Sequence, residues 1–133
     1  MKKLFLILVF FFGSINISNA EINRIVAGNK DAKIKIIAYE SLTCRFCGDF
    51  HTKIYPELKQ DFIDSGLASI EFRNFPLDLA ALNASKIAHC KNDGDSKILH
   101  YLYTEQNQWV KGNNILEINN NLRNVLDLSL IHI

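Results

Sequence analysis

Apolar and polar positions change rhythm several times along the chain, and each rhythm predicts an element. Leu4 to Phe12 is an unbroken apolar run behind Met1-Lys2-Lys3. It is too short to span a bilayer, and it gives way to a small, polar stretch, Gly13 to Asn19. Residues 21–33 are mixed and polar, with Gly28-Asn29 as a turn signal, and read as a lead-in. Ile34-Lys35-Ile36-Ile37-Ala38-Tyr39 is a short β-branched run and predicts a buried strand. Phe46, Phe50, Ile54, Leu58 and Phe62 then recur at every fourth residue. That spacing predicts a helix beginning near Cys44 with one apolar stripe, Thr43 as its N-cap, a kink at Pro56 and an end at Gly66. Leu67 to Phe75 alternates in part, with Ile70 and Phe72 on one side and Glu71 and Arg73 on the other, and predicts a second strand. Strand, helix and strand at these spacings form a βαβ unit, so the strands should be parallel and the crossover right-handed.

After Pro76 the rhythm is helical. Asp78 can cap a helix running to about Lys91 and lined by Ala81, Ala84, Ile87 and Ala88. Asp95 can cap a second, with Ile98, Leu99, Leu102 and Tyr103 inward, and Trp109 should anchor this helical unit. Asn114 with Glu117 resembles a capping box and opens a third helix through Ile115, Ile118, Leu122 and Val125. The predicted organisation is a leader at 1–20, a lead-in at 21–33, a βαβ unit at 34–75 and a helical unit at 76–127.

The start of the chain changes the picture first. A basic n-region, a short apolar core and Ser18-Asn19-Ala20 before Glu21 make a cleavable signal peptide. Export, into a periplasm, is the expectation. Of 133 residues, 48% are hydrophobic and 22% charged, which excludes a wholly disordered chain, and the length allows one domain. The net charge of +1 carries no basic stripe, so no nucleic-acid partner is expected.

An exported chain can keep disulfides, and this one has three cysteines, Cys44, Cys47 and Cys90. Cys44-Arg45-Phe46-Cys47 falls where a strand runs into a helix. Unpaired N–H groups and the positive dipole end there stabilise a thiolate at the first Cys. The second lies one turn later, within reach of a disulfide. That is a geometry for thiol–disulfide exchange. Two other readings stand beside it. A structural disulfide would close almost no loop. A metal-binding or metallochaperone module could use Cys44, Cys47 and His51, although zinc sites commonly take four ligands.

Tyr39-Glu40-Ser41-Leu42-Thr43-Cys44-Arg45-Phe46-Cys47, Phe50-His51, Tyr55-Pro56 and Phe72-Arg73-Asn74-Phe75-Pro76-Leu77-Asp78 together resemble the DsbA-like thiol:disulfide oxidoreductases, over about Ile34 to Trp109. The resemblance implies an α/β, thioredoxin-like fold whose βαβ unit carries a helical insertion, here the helices after Pro76. It implies Cys44 as nucleophile and Cys47 as resolving thiol, and a redox-active disulfide in place of any cofactor or metal. It also implies exported cysteine-containing proteins as substrates and a membrane quinone-linked thiol oxidase as partner.

The chain departs from that pattern in several places. Pro-His is frequent between the cysteines of such oxidases, and Arg45-Phe46 stands here. Phe46 cannot donate to a thiolate. Arg45 is either a surface residue or a source of charge at the site. The position six before the first Cys, often acidic in thioredoxin folds, is Ala38. Glu40 is the nearest acid and reads first as a solvated strand-end charge, second as a proton relay. His51 reads as a packed helix residue, with an electrostatic role beside the pair as the alternative. Cys90 is either a small buried hydrophobe or the partner of a Cys outside this chain. The family's later strands and its cis-Pro loop have no counterpart, since the only prolines are Pro56 and Pro76. The last six residues, Leu128 to Ile133, match a translated transposase adapter of the kind used in sequencing libraries. The expectation is therefore a C-terminally truncated chain whose native part ends near Asp127, and an inactive fragment is the remaining alternative.

Overall fold

The computed structural model describes residues 21–130. The leader and His132 with its immediate neighbours Ile131 and Ile133 lie outside the described residues, and so does the signal-peptide reading.

Three strands form one mixed sheet: β1 (Ile25–Gly28), β2 (Ile34–Glu40) and β3 (Ala68–Asn74), in the order β1-β3-β2. β2 and β3 run parallel, in register from Ile34 opposite Ala68 to Glu40 opposite Asn74, as the βαβ reading requires. β1 is a correction to the two-strand expectation. The stretch read as a lead-in pairs antiparallel with β3, Ile25 opposite Phe72. Ile25 is buried beside Phe72 and Ile70 in the core. Four residues are too few for a period of two to stand out against the polar residues around them. Gly28 closes β1 at φ +91°, and a Cβ there would meet Ile63 Cγ2 at 2.7 Å and the Ala68 carbonyl at 2.9 Å.

A continuous helical segment, α1 (residues 45–63), crosses from β2 to β3. It alternates α-helical turns, Arg45–Asp49 and Tyr55–Leu58, with π-helical ones, Phe50–Ile54 and Lys59–Ile63. Pro56 has no N–H to give, and the widened bonding next to it absorbs the missing donor. The predicted apolar stripe holds only at Phe50 and Leu58, which pack against the core. Phe46 (81% exposed), Ile54 and Phe62 face solvent, while Gly48, His51, Tyr55 and Ile63 are buried. A strict four-residue spacing drifts by about 40° per step around a 3.6-residue helix, and the π turns shift the phase again. Thr43 is not the cap. Cys44 occupies that position with extended backbone and no side-chain cap.

The helical unit comprises α2 (Leu79–Ala88), α3 (Lys97–Thr104), α4 (Gln106–Trp109) and α5 (Ile115–Leu130). Asp78 caps α2, its Oδ1 accepting from Ala81 N at 2.7 Å. Ala80, Ala81, Ala84 and Ala88 form the buried face of α2, small enough for close helix approach. Asp95 Oδ1 accepts from Lys97 N at the start of α3. The capping box at α5 is present: Glu117 N donates to Asn114 Oδ1 at 3.0 Å, and Glu117 accepts from the Asn113 N–H. Trp109 is fully buried and donates to the Leu102 carbonyl, locking α4 onto α3. α3 packs against the middle of α1, on the sheet face that carries Ile36, Ala38, Ile70 and Phe72.

Candidate functional site

The end of β2 and the start of α1 meet in a tight turn. Cys44 N donates to the Ser41 carbonyl at 2.9 Å, and Leu42 between them is fully buried. The loop after β3 braces this turn: Leu77 N donates to Ser41 Oγ, and Thr43 Oγ1 donates to Asp78 Oδ2 at 2.7 Å. Pro76 belongs to that loop, and the described residues contain no cis peptide bond.

Cys44 and Cys47 are both half-buried free thiols. Their chemistry diverges. The Cys47 backbone N–H is the largest influence holding the Cys44 thiol below its ordinary range. Burial opposes it, and the Cys47 thiol and the Phe46 N–H add to it. A thiolate at a helix start sits on unpaired N–H donors, as the sequence predicts. Cys47 packs against the core. Burial pushes its thiol up to about 11, against a smaller lowering from Ser41. The negative charge of Glu40 raises both thiols. Arg45 and Phe46 point outward, and the Arg45 charge helps lower the Asp49 carboxyl, which pairs first with Lys53 at 2.7 Å.

Glu40 is not the solvated strand-end charge expected of it. It is buried at the end of β2, and Glu40 Oε2 lies 2.7 Å from His51 Nε2. His51 Nδ1 in turn lies 2.7 Å from His100 Nδ1. With Glu40 accepting, His51 carries its proton on Nε2, and His100 donates from Nδ1. Tyr103 stacks on His51 at 3.9 Å between ring centroids, and Tyr55 on His100 at 4.4 Å. Burial and the neighbouring His51 depress His100 to about 4. Burial, then Glu40, raises the Tyr103 phenol strongly. Three atoms in this cluster, Tyr55 OH, Tyr103 OH and His100 Nε2, are buried without a hydrogen-bond partner. His51 is the packed helix residue the sequence reading favoured, and it also bridges two titratable groups.

His100, Tyr103, Gln106 and Asp78 were not legible as site residues. All four come from the helical unit, and no spacing relates them to the cysteines. Gln106 Nε2 donates to the Leu42 carbonyl at 2.8 Å and the Cys44 carbonyl at 3.0 Å. Cys90 is exposed beyond α2, which corrects its reading as a buried hydrophobe. Among the described residues no group of three or more His, Cys, Asp or Glu could hold a metal ion. His51, the optional third ligand of the metal-module reading, is engaged by Glu40 and His100.

Comparison with known proteins places this geometry among others. A sequence-family profile described as Thioredoxin matches residues 20–129. A Rickettsia bellii protein named as a protein-disulfide oxidoreductase is 38% identical over 98 residues, which cover 72% of this chain and 38% of that protein. The crystal structure of Wolbachia pipientis alpha-DsbA1 superposes with a TM-score of 0.68 at 31% identity, covering 80% of this chain and 54% of that one. A protein-disulfide isomerase from Novosphingobium aromaticivorans shares the fold, with a TM-score of 0.68 at 19% identity over 84% of this chain and 66% of that one. The chain thus spans about two fifths of the Rickettsia relative and about half of the Wolbachia one.

Proposed function

The chain belongs to the thioredoxin-like family, in its DsbA-like branch, and on that premise we propose that it is the redox-active part of a thiol:disulfide oxidoreductase acting on exported proteins. The observation that carries the reading is the opposed tuning of two adjacent thiols, Cys44 lowered and Cys47 raised to about 11.

In the oxidising direction a substrate thiolate attacks Cys44 Sγ of the Cys44–Cys47 disulfide. The S–S bond breaks, Cys47 leaves and takes up a proton, and a mixed disulfide forms on Cys44. The substrate's second thiolate then attacks its own sulfur in that mixed disulfide, and Cys44 leaves as a stabilised thiolate. The substrate loses two electrons and the Cys pair gains them. A leaving thiol of low pKa departs readily, which favours release from Cys44. Burial keeps Cys47 a thiol, with the Cys44 thiolate and Glu40 adding to it, so the reduced pair holds one thiolate and one thiol. Arg45 and Phe46 face the incoming substrate as an exposed cation and an exposed aromatic surface. No cofactor beyond the Cys pair is required. A membrane quinone-linked thiol oxidase would take the electrons onward, and the periplasm is the compartment that suits this chemistry.

The test is disulfide formation in a reduced two-cysteine substrate, followed with the Cys44→Ser and Cys47→Ser variants. Reduced Cys47→Ser given the disulfide-bonded form of that substrate should trap a mixed disulfide, the Cys44 thiolate displacing one substrate sulfur as a thiol, and Cys44→Ser should form none. Equal turnover by Cys44→Ser would sink the assignment.

A further inference from the structure

Among the described residues, Gln106 is the one buried polar side chain of the helical unit that reaches the turn carrying Cys44. The residue is 7% exposed, and its amide reaches across more than sixty residues of sequence to two carbonyls of that turn. An amide nitrogen carries two hydrogens, and the two bonds of Gln106 Nε2 go to the carbonyls of Leu42 and Cys44. The Cys44 carbonyl also accepts from Gly48 N at 3.1 Å, the first bond of α1. Both of its lone pairs are therefore engaged, one by the helix and one by Gln106. The fit has a second mark. A Cβ on Gly48 would come within 2.5 Å of Gln106 Oε1, so the glycine leaves the space in which the amide lies.

We propose that Gln106 is a positioning residue for the Cys44 nucleophile, clamping the Leu42 and Cys44 carbonyls so that the turn holds the sulfur at the start of α1. The inference rests on the reading of Cys44 as the attacking sulfur for its importance, and on Gln106 and Gly48 for its geometry. The Cys47 and Phe46 N–H groups, which hold the Cys44 thiol below its ordinary range, belong to the peptides immediately after the clamped one. Freeing the Cys44 carbonyl lets that peptide rock and moves both donors off the sulfur. Gly48 and Gln106 thereby give the helical unit a mechanical hold on the reactivity of a residue in the βαβ unit.

The experiment is alkylation of Cys44 by iodoacetamide in the reduced full chain, followed by mass spectrometry as a function of pH. Gln106→Met keeps the side-chain volume and removes the donor. Losing one charge-assisting hydrogen-bond frame of ordinary strength should slow Cys44 alkylation at pH 7 by about three- to tenfold and move its midpoint to higher pH. Gly48→Ala displaces the same amide from the other side while favouring the helix, so it should also slow alkylation, with helix content preserved. If both variants alkylate at the wild-type rate with the wild-type midpoint, while only the melting temperature of Gln106→Met falls, Gln106 is structural and the proposal is overturned. Should Gln106→Met fail to fold, Gly48→Ala decides alone by the same criterion. Slowed alkylation upholds the clamp even in a chain that exchanges no disulfides, so the clamp and the proposed function fail separately.

Discussion

Cys44 and Cys47 are the same chemical group three residues apart, and what separates them is where each sulfur sits. Cys44 lies on backbone donors at the start of α1, and Cys47 lies against the core. Of the two, iodoacetamide at neutral pH should therefore modify only Cys44 in the reduced chain, alongside the exposed Cys90, and Cys47 should react only as pH approaches about 11, a contrast that mass spectrometry of the separate peptides reads directly. Glu40→Gln removes a negative charge that raises both thiols. Its expected effect is to bring both alkylation midpoints down. An unchanged Cys47 midpoint would show that Glu40 acts only through packing. The Cys pair and its contrast are legible in the sequence because a Cys-x-x-Cys at a strand-to-helix junction places its sulfurs by local geometry. Glu40 is not legible: an acid at a strand end is ordinarily solvated, and its burial depends on a histidine eleven residues on and a second from another helix.

Asp78 joins two elements. Its Oδ1 caps α2 and its Oδ2 accepts from Thr43 in the cysteine turn. Asp78→Ala should cost about 1–2 kcal/mol of stability through the lost cap, measured by urea unfolding. Combined with Thr43→Val the losses should be less than additive, because both substitutions remove one shared bond. Full additivity would show that the Thr43 contact contributes nothing. At this scale β2, β3, α2 and the capping box of α5 follow from periodicity and capping residues, since those signals are local. β1 and the buried face of α1 do not follow. A four-residue strand gains its stability from β3 beside it, and the face that α1 buries is set by π turns around Pro56, which no α-helical period anticipates.

Across the whole molecule, the histidine cluster ties the βαβ unit to the helical unit and makes stability depend on pH. His100 titrates at about 4 in the folded chain, against an ordinary value of 6.5. The unfolded chain thus binds the proton more readily between those values, and stability falls as pH drops from 6.5 towards 4. The loss attributable to His100 should reach at most about 3 kcal/mol. Thermal melts from pH 7 to 4 should show it, and His100→Gln, whose amide can still donate to His51, should flatten that part of the profile. A slope that survives the substitution would assign the effect to other groups.

By itself the sequence determined the βαβ unit, the capped helices after Pro76, the placement of the Cys pair at a strand-to-helix junction and the thioredoxin-like family. All of these rest on interactions between residues near one another in the chain, and such interactions leave a readable spacing. Only the tertiary structure decided that Glu40 is buried on His51, that His100 completes the cluster, that Gln106 holds the Cys44 turn and that β1 exists at all. Each of those depends on two segments meeting across a long stretch of chain, and burial there changes what a carboxylate, an imidazole or an amide can do. No spacing encodes such a meeting; the packing of the helical unit against the sheet creates it.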